Sequence, residues 1–90
     1  MQQKQAIARA LDSVKWPAWV DTVVSDLMLD AEGETAVAVR VVVRRDEEAI
    51  FRDGARLGKV VDAIHAALRR AEIGLWPYVR FVSARDSQAA

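Results

Sequence analysis

The sequence has no cysteine, only one histidine, and few prolines and glycines in its 90 residues. The absence of cysteine excludes disulfides, thiol catalysis and cysteine-ligated zinc, and it is compatible with a reducing compartment. No apolar run approaches the roughly 20 residues that a membrane-spanning helix requires. The polar segment Met1–Gln5 lacks the apolar stretch of a secretory signal. We therefore expect a cytoplasmic protein with no membrane contact.

An excess of charge of either sign is also missing. Thirteen basic and thirteen acidic residues cancel, whereas proteins that bind nucleic acids usually carry a basic excess. Hydrophobic residues make up 52% of the chain and charged residues 29%, a mixture typical of a globular domain. We expect a single domain over residues 1–90, whose small core leaves a thin margin of stability that a second subunit would increase.

The first half of the chain predicts a helix and two strands. Apolar residues at helical intervals predict a helix over residues 3–15, ended by Pro17. Residues 19–29 fit a helical stripe as well, but their β-branched content and the loop-forming residues 30–34 favour a strand in a hairpin. The next strand is unambiguous, because one apolar face is built from alternate residues: Val37, Val39, Val41 and Val43.

The second half predicts a helix and a last strand. Residues 45–48 are expected to be a solvated connection, and Asp53 is a favourable N-cap for the second helix. The apolar stripe of this helix comprises Leu57, Val60, Val61, Ile64, Leu68 and Ala71. Gly74 is expected to end it in a Schellman turn. A strand follows over residues 78–84, and then a frayed tail over residues 86–90.

The predicted order is α-β-β-α-β, an α+β fold with a three-stranded sheet and both helices on one face. Both predicted helices are followed by a Trp-Pro pair, Trp16-Pro17 and Trp76-Pro77. Proline is a good helix stop and strand opener, which explains the pairs. Two helix-strand units related by pseudo-twofold symmetry are the alternative.

No residue pattern predicts a catalytic, cofactor or metal site. His65 is the only histidine and lies at the edge of an apolar stripe, so a structural role is expected. The alternating acidic residues of the loop, Asp30, Glu32 and Glu34, are too few for a calcium loop. Gly54 and Gly58 fit neither phosphate-loop spacing. We therefore expect a protein that is not an enzyme.

Two candidate surfaces remain. The first is the sheet face away from the helices, where apolar, tyrosine and arginine side chains mix as they do in protein interfaces. Its candidate residues are Ala38, Arg40, Val42, Arg44, Tyr78, Arg80 and Val82. A solvated sheet face with scattered apolar residues is the alternative. The second is a basic patch for an acidic partner or a phosphate backbone, formed by Arg69, Arg70, Arg80 and Arg85.

The segment over residues 67–81 resembles the end of small uncharacterised bacterial proteins that close with a helix and a Trp-Pro-Tyr-Val-Arg-Phe strand. The α-β-β-α-β order resembles the KH-type fold of the ribosome-binding factor A family, which implies RNA binding through a small-residue kink or a Gly-x-x-Gly loop. Gly54 and Gly58 depart from that spacing. We therefore expect a small non-catalytic interaction or assembly domain that forms a homo-oligomer or binds another protein. A KH-like RNA- or ribosome-associated module is the alternative.

Overall fold

The computed structural model describes residues 3–87, which form the predicted α+β architecture. Its elements are α1 (Gln3–Asp12), β1 (Val20–Leu29), β2 (Thr35–Val43), a 3₁₀ segment (Arg45–Arg52), α2 (Gly54–Arg70), β3 (Pro77–Ser83) and α3 (Ala84–Ser87). The sheet is mixed, because the central strand β2 pairs antiparallel with β1 and parallel with β3. None of the helices within residues 3–87 is long and apolar enough to cross a membrane.

The core lies between one face of the sheet and the two long helices. The alternate valines of β2 are fully buried there, as their spacing predicts. Helices α1 and α2 cover them with side chains that share one apolar cluster: Ile7, Leu11, Val60, Ile64 and Leu68. Both helices therefore pack on the same side, which leaves the other face of the sheet for the surfaces described below.

Strand β1 confirms the preference for a strand over a helix in residues 19–29, and it also explains the ambiguity. A bulge shifts its register between Val20 and Thr22, so that Val20 pairs with Val43 and Val23 pairs with Val41. Residues three apart consequently face the same helix layer, although a regular strand would place them on opposite faces. This irregularity produces the helix-like spacing in the sequence.

Helix α2 begins as predicted and ends differently. The Asp53 carboxylate accepts a hydrogen bond from the Arg56 N–H at 3.1 Å, as an N-cap should. At the other end, Glu72 rather than Gly74 adopts the left-handed conformation, with φ of 58°. The Ile73 N–H bonds to the Leu68 carbonyl, which closes a Schellman turn two residues before the predicted glycine.

Three other boundaries differ from the sequence predictions. Helix α1 ends at Asp12 rather than at residue 15, because the Ser13 hydroxyl bonds to the Ala10 carbonyl and the chain tightens there. Residues 45–47 are exposed, as expected for a solvated connection, but they belong to the 3₁₀ segment, which kinks at Glu47 and continues past the buried Ile50. Strand β3 begins one residue earlier and ends one residue earlier than the predicted range 78–84.

The predicted frayed tail over residues 86–90 is in part ordered. Asp86 and Ser87 belong to the short helix α3, and residues 88–90 lie outside the described residues. The Ser83 hydroxyl, at the end of β3, caps this helix by accepting from the Arg85 N–H at 3.1 Å. The same hydroxyl donates to the carboxylate of Glu48 in the 3₁₀ segment.

Replacing Ser83 by alanine should therefore lower the free energy of unfolding by about 1–2 kcal/mol, because it removes one hydrogen bond to a charged group and one cap. Urea denaturation measures the loss. Ser25→Ala, at a half-buried serine of β1, is the control and should change stability less. Equal stability of Ser83→Ala and the native chain would show that the contact to Glu48 contributes nothing.

Candidate interaction surfaces

The sheet face opposite the helices carries most of the predicted interface residues side by side. Strand pairing places Ala38 beside Tyr78, Arg40 beside Arg80, and Val42 beside Val82. Strand β1, which the prediction did not include, completes the surface through register pairs with β2. We call this surface the open sheet face; it comprises Thr22, Val24, Asp26, Met28, Ala36, Ala38, Arg40, Val42, Tyr78, Arg80 and Val82.

The centre of the open sheet face is a shallow depression of about 500 Å³. It is lined by the small side chain of Ala38 and by the longer side chains of Met28 and Tyr78. Val24 and Tyr78 are each 44% exposed. Apolar atoms on both edge strands are thus accessible around a hollow that a partner side chain can enter.

Val42 lies on the predicted face but not at its accessible surface. Only 2% of this residue is exposed. It stands between Thr22 on β1 and Val82 on β3 in the sheet register, and α3 also contacts β2. Its side chain therefore contributes to the stability of the sheet rather than to an interface. Of the apolar side chains on this face, Val24 and Tyr78 are the exposed ones instead.

Asp26 places a negative charge at the β1 side of the open sheet face. Its carboxylate accepts a hydrogen bond from the Leu27 N–H at 2.9 Å and lies 3.3 Å from the Lys4 ammonium. The Leu27 N–H and then Lys4 hold the pKa of the Asp26 carboxyl below its ordinary value. The group therefore remains ionised into mildly acidic solution, opposite in sign to Arg40 and Arg80 on the same face.

Arg44 follows the end of β2 and bonds to the loop before β1. Its Nε donates to the Ala18 carbonyl at 2.8 Å, and its backbone N–H donates to the Trp19 carbonyl at 3.0 Å. These bonds attach the loop before β1 to the end of β2. Arg44 is thus a brace for that loop rather than a member of the open sheet face.

The structure divides the predicted basic patch into two pairs. Arg80 and Arg85 line one depression near the end of β3. Arg69 and Arg70 lie in the last turn of α2, close to the start of β3, and they line two other depressions. Arg80 is the fourth residue of β3, about 10 Å along the strand from its start, and Arg85 lies beyond the end of the strand.

The remaining polar candidates have structural contacts. His65 meets the edge of Trp76, with ring centroids 4.8 Å apart. Asp30 accepts hydrogen bonds from the N–H groups of Glu32 and Glu34, so its carboxylate organises the hairpin loop. Within residues 3–87, no three histidine or acidic side chains are grouped closely enough to hold a metal ion.

Another depression, which the sequence did not predict, lies between the loop before β1 and the start of α2. We call it the loop groove; its walls include Lys15, Trp16, Pro17, Trp19, Arg56 and Lys59. The sequence signal is the Lys-Trp-Pro-Ala-Trp run, which the sequence analysis explains only by proline as a helix stop and strand opener. The three cationic side chains come from segments about 40 residues apart in the chain.

The chain has neither a histidine-based nor a serine-based constellation that would assign a reaction to either surface within the described residues 3–87. The open sheet face presents apolar side chains and charges of both signs, whereas the loop groove presents aromatic and cationic side chains. Comparisons with protein-family models, with curated proteins and with solved structures give no match to this chain.

Proposed function

We propose that this protein is a small non-catalytic assembly domain that pairs with a second copy of itself through the open sheet face. The observation that carries the proposal is the combination of an apolar hollow with charges of opposite sign on its two sides. Asp26 lies on β1, whereas Arg80 lies on β3. A surface with both signs can complement its own copy.

A twofold axis parallel to the strands and above β2 would place β1 of one copy over β3 of its partner. In that arrangement Asp26 of each copy lies two residues along the strand from the partner's Arg80, a diagonal offset that the long arginine side chain can span. The contact occurs twice, because a twofold interface is isologous. The exposed ring of Tyr78 would lie over the partner's Asp26, at the β1 side of the hollow. Aromatic and arginine side chains are the residue types that contribute most to interface energetics.

The size of the domain also favours association. A chain of 90 residues buries only about 60–65% of its unfolded surface on folding. Covering Val24, Met28 and Tyr78 in a dimer would add apolar burial at about 25 cal/mol per Å². Pairing would thus add to the limited stability that the small core provides.

Charge reversal tests the proposed pairing. Asp26→Lys and Arg80→Glu should each weaken the dimer at least about tenfold, because each places like charges opposite each other twice. An equimolar mixture of the two variants should recover the dimer, since the introduced lysine then faces the introduced glutamate and the other contact remains native. Light scattering over a concentration series at low salt measures the masses.

Arg69→Glu and Glu72→Lys, exposed at the end of α2 and away from the open sheet face, are the matched controls and should leave the dimer intact. A native chain that is monomeric at every concentration would contradict the proposal. So would a dimer that neither single variant weakens, or a mixture that stays as weak as its components.

A further inference from the structure

We propose that the loop groove binds single-stranded nucleic acid, with one base stacked on Trp16 and the neighbouring phosphates held by Lys15, Arg56 and Lys59. This site is separate from the open sheet face and does not depend on pairing between copies. The groove encloses about 420 Å³, a volume within the range of small-ligand sites.

The wall that carries Trp16 is held in place before any ligand arrives. The Trp16 indole Nε1 donates to the Leu11 carbonyl at 3.1 Å, so the last turn of α1 orients the ring. The Val20 N–H bonds to the Pro17 carbonyl at 3.1 Å, and the Arg44 guanidinium bonds to the Ala18 carbonyl at 2.8 Å. A preorganised aromatic wall loses little conformational entropy when a base stacks on it.

The groove concentrates positive charge in a protein whose net charge is zero. Its described lining contains three cationic side chains and no acidic one. Within residues 3–87, Lys15 and Lys59 make no ion pair. Arg56 meets Asp53 through Nε at 3.3 Å, which leaves its terminal nitrogens free to donate to a phosphate.

The positions of the cations fit a chain that passes across the indole. Arg56 and Lys59 are one helical turn apart on α2, with about 5–6 Å between such Cβ atoms, and Lys15 lies on the opposite wall beside Trp16. A nucleotide strand presents an aromatic face and a negative charge in every repeat unit. An acidic peptide matches the cations but offers no regular stacking partner for Trp16, so the nucleic acid is the better match.

The site is tested by measuring the fluorescence anisotropy of labelled single-stranded oligonucleotides of about ten nucleotides. Oligo(U) and oligo(dT) are titrated in separate experiments. At low salt we expect binding that weakens as salt rises, with a slope of about −2 in log K against log salt for three phosphate contacts. Preference for oligo(U) would assign the site to RNA, and preference for oligo(dT) to DNA. Absence of binding to both strands at low salt would overturn the proposal.

Variants locate the binding. Trp16→Ala should weaken binding roughly 5- to 150-fold, the range for loss of one stacked base, and Trp16→Phe should recover part of that loss because it retains a ring. Since Trp16 also packs against the core, Lys15→Glu and Lys59→Glu provide a second test on exposed positions. Each should weaken binding at least about fivefold and reduce the salt slope by about 0.7 or more.

Arg70→Glu is the matched control for Lys59→Glu, because it makes the same change of charge at the other end of α2, outside the groove. It should leave the affinity within about twofold of the native value. Equal losses in Lys59→Glu and Arg70→Glu would overturn the proposal by showing attraction to general positive charge. Tighter, Trp16-dependent binding of an acidic peptide than of either oligonucleotide would overturn it in favour of a protein partner.

Discussion

Replacing Val42 by aspartate should lower the free energy of unfolding by about 3–5 kcal/mol, because it places a carboxylate at a position that is only 2% exposed. A domain of this size has a total stability of about 5–13 kcal/mol, so the variant loses a large part of it. The side chain lies between Thr22 and Val82, which together offer at most one hydrogen-bond donor, the Thr22 hydroxyl, and this is fewer than a buried carboxylate needs. Urea denaturation at neutral pH measures the effect.

The loss should shrink as the pH is lowered. Burial raises the pKa of the introduced carboxyl above its value in the unfolded chain, so the folded state binds more protons. Stability therefore falls as the pH rises from the unfolded-state pKa through the folded-state pKa of this carboxyl group. It recovers in acid, where the side chain is neutral. This direction is opposite to that of a carboxylate stabilised in its ionised form, such as Asp26.

Val24→Asp is the matched control, since it makes the same change on the same face at a residue that is 44% exposed. It should cost no more than about 1 kcal/mol, the span of strand propensities, when both variants are measured at concentrations where the chain is monomeric. Equal stability of Val42→Asp and Val24→Asp would show that the buried side chain of Val42 does not stabilise the packing of the three strands.

The regular elements were predictable because each has one face that only the core can accept. The valines of β2 repeat every second residue and the stripe of α2 repeats at helical spacing, so each pattern has one interpretation. The bulge in β1 removed this regularity. The 3₁₀ segment was hidden because its charged first turn masks the single buried residue, Ile50.

The sequence predicts which residues belong to the open sheet face but not how exposed each of them is. Alternation along β2 and β3 shows which residues share a face, whereas the exposure of each depends on its cross-strand neighbours. Val42 is covered for that reason, while Val24 entered the surface only through the register of β1. The loop groove joins Trp16 to Lys59 through tertiary packing, and no local sequence pattern connects residues so far apart.

Replacing Ile64 by alanine should lower the free energy of unfolding by about 2–5 kcal/mol, because the residue is 0% exposed and the substitution leaves a cavity where α2 meets the sheet. The size of the loss depends on how far the neighbouring β2 valines can relax, and these are themselves fully buried. Ile73→Ala, the same change at a half-buried residue after α2, should cost less than half as much. Thermal and urea unfolding of both variants measures the difference. Equal losses would show that the cluster around Ile64 is not the centre of the core, and that the two helices are held to the sheet mainly by their ends.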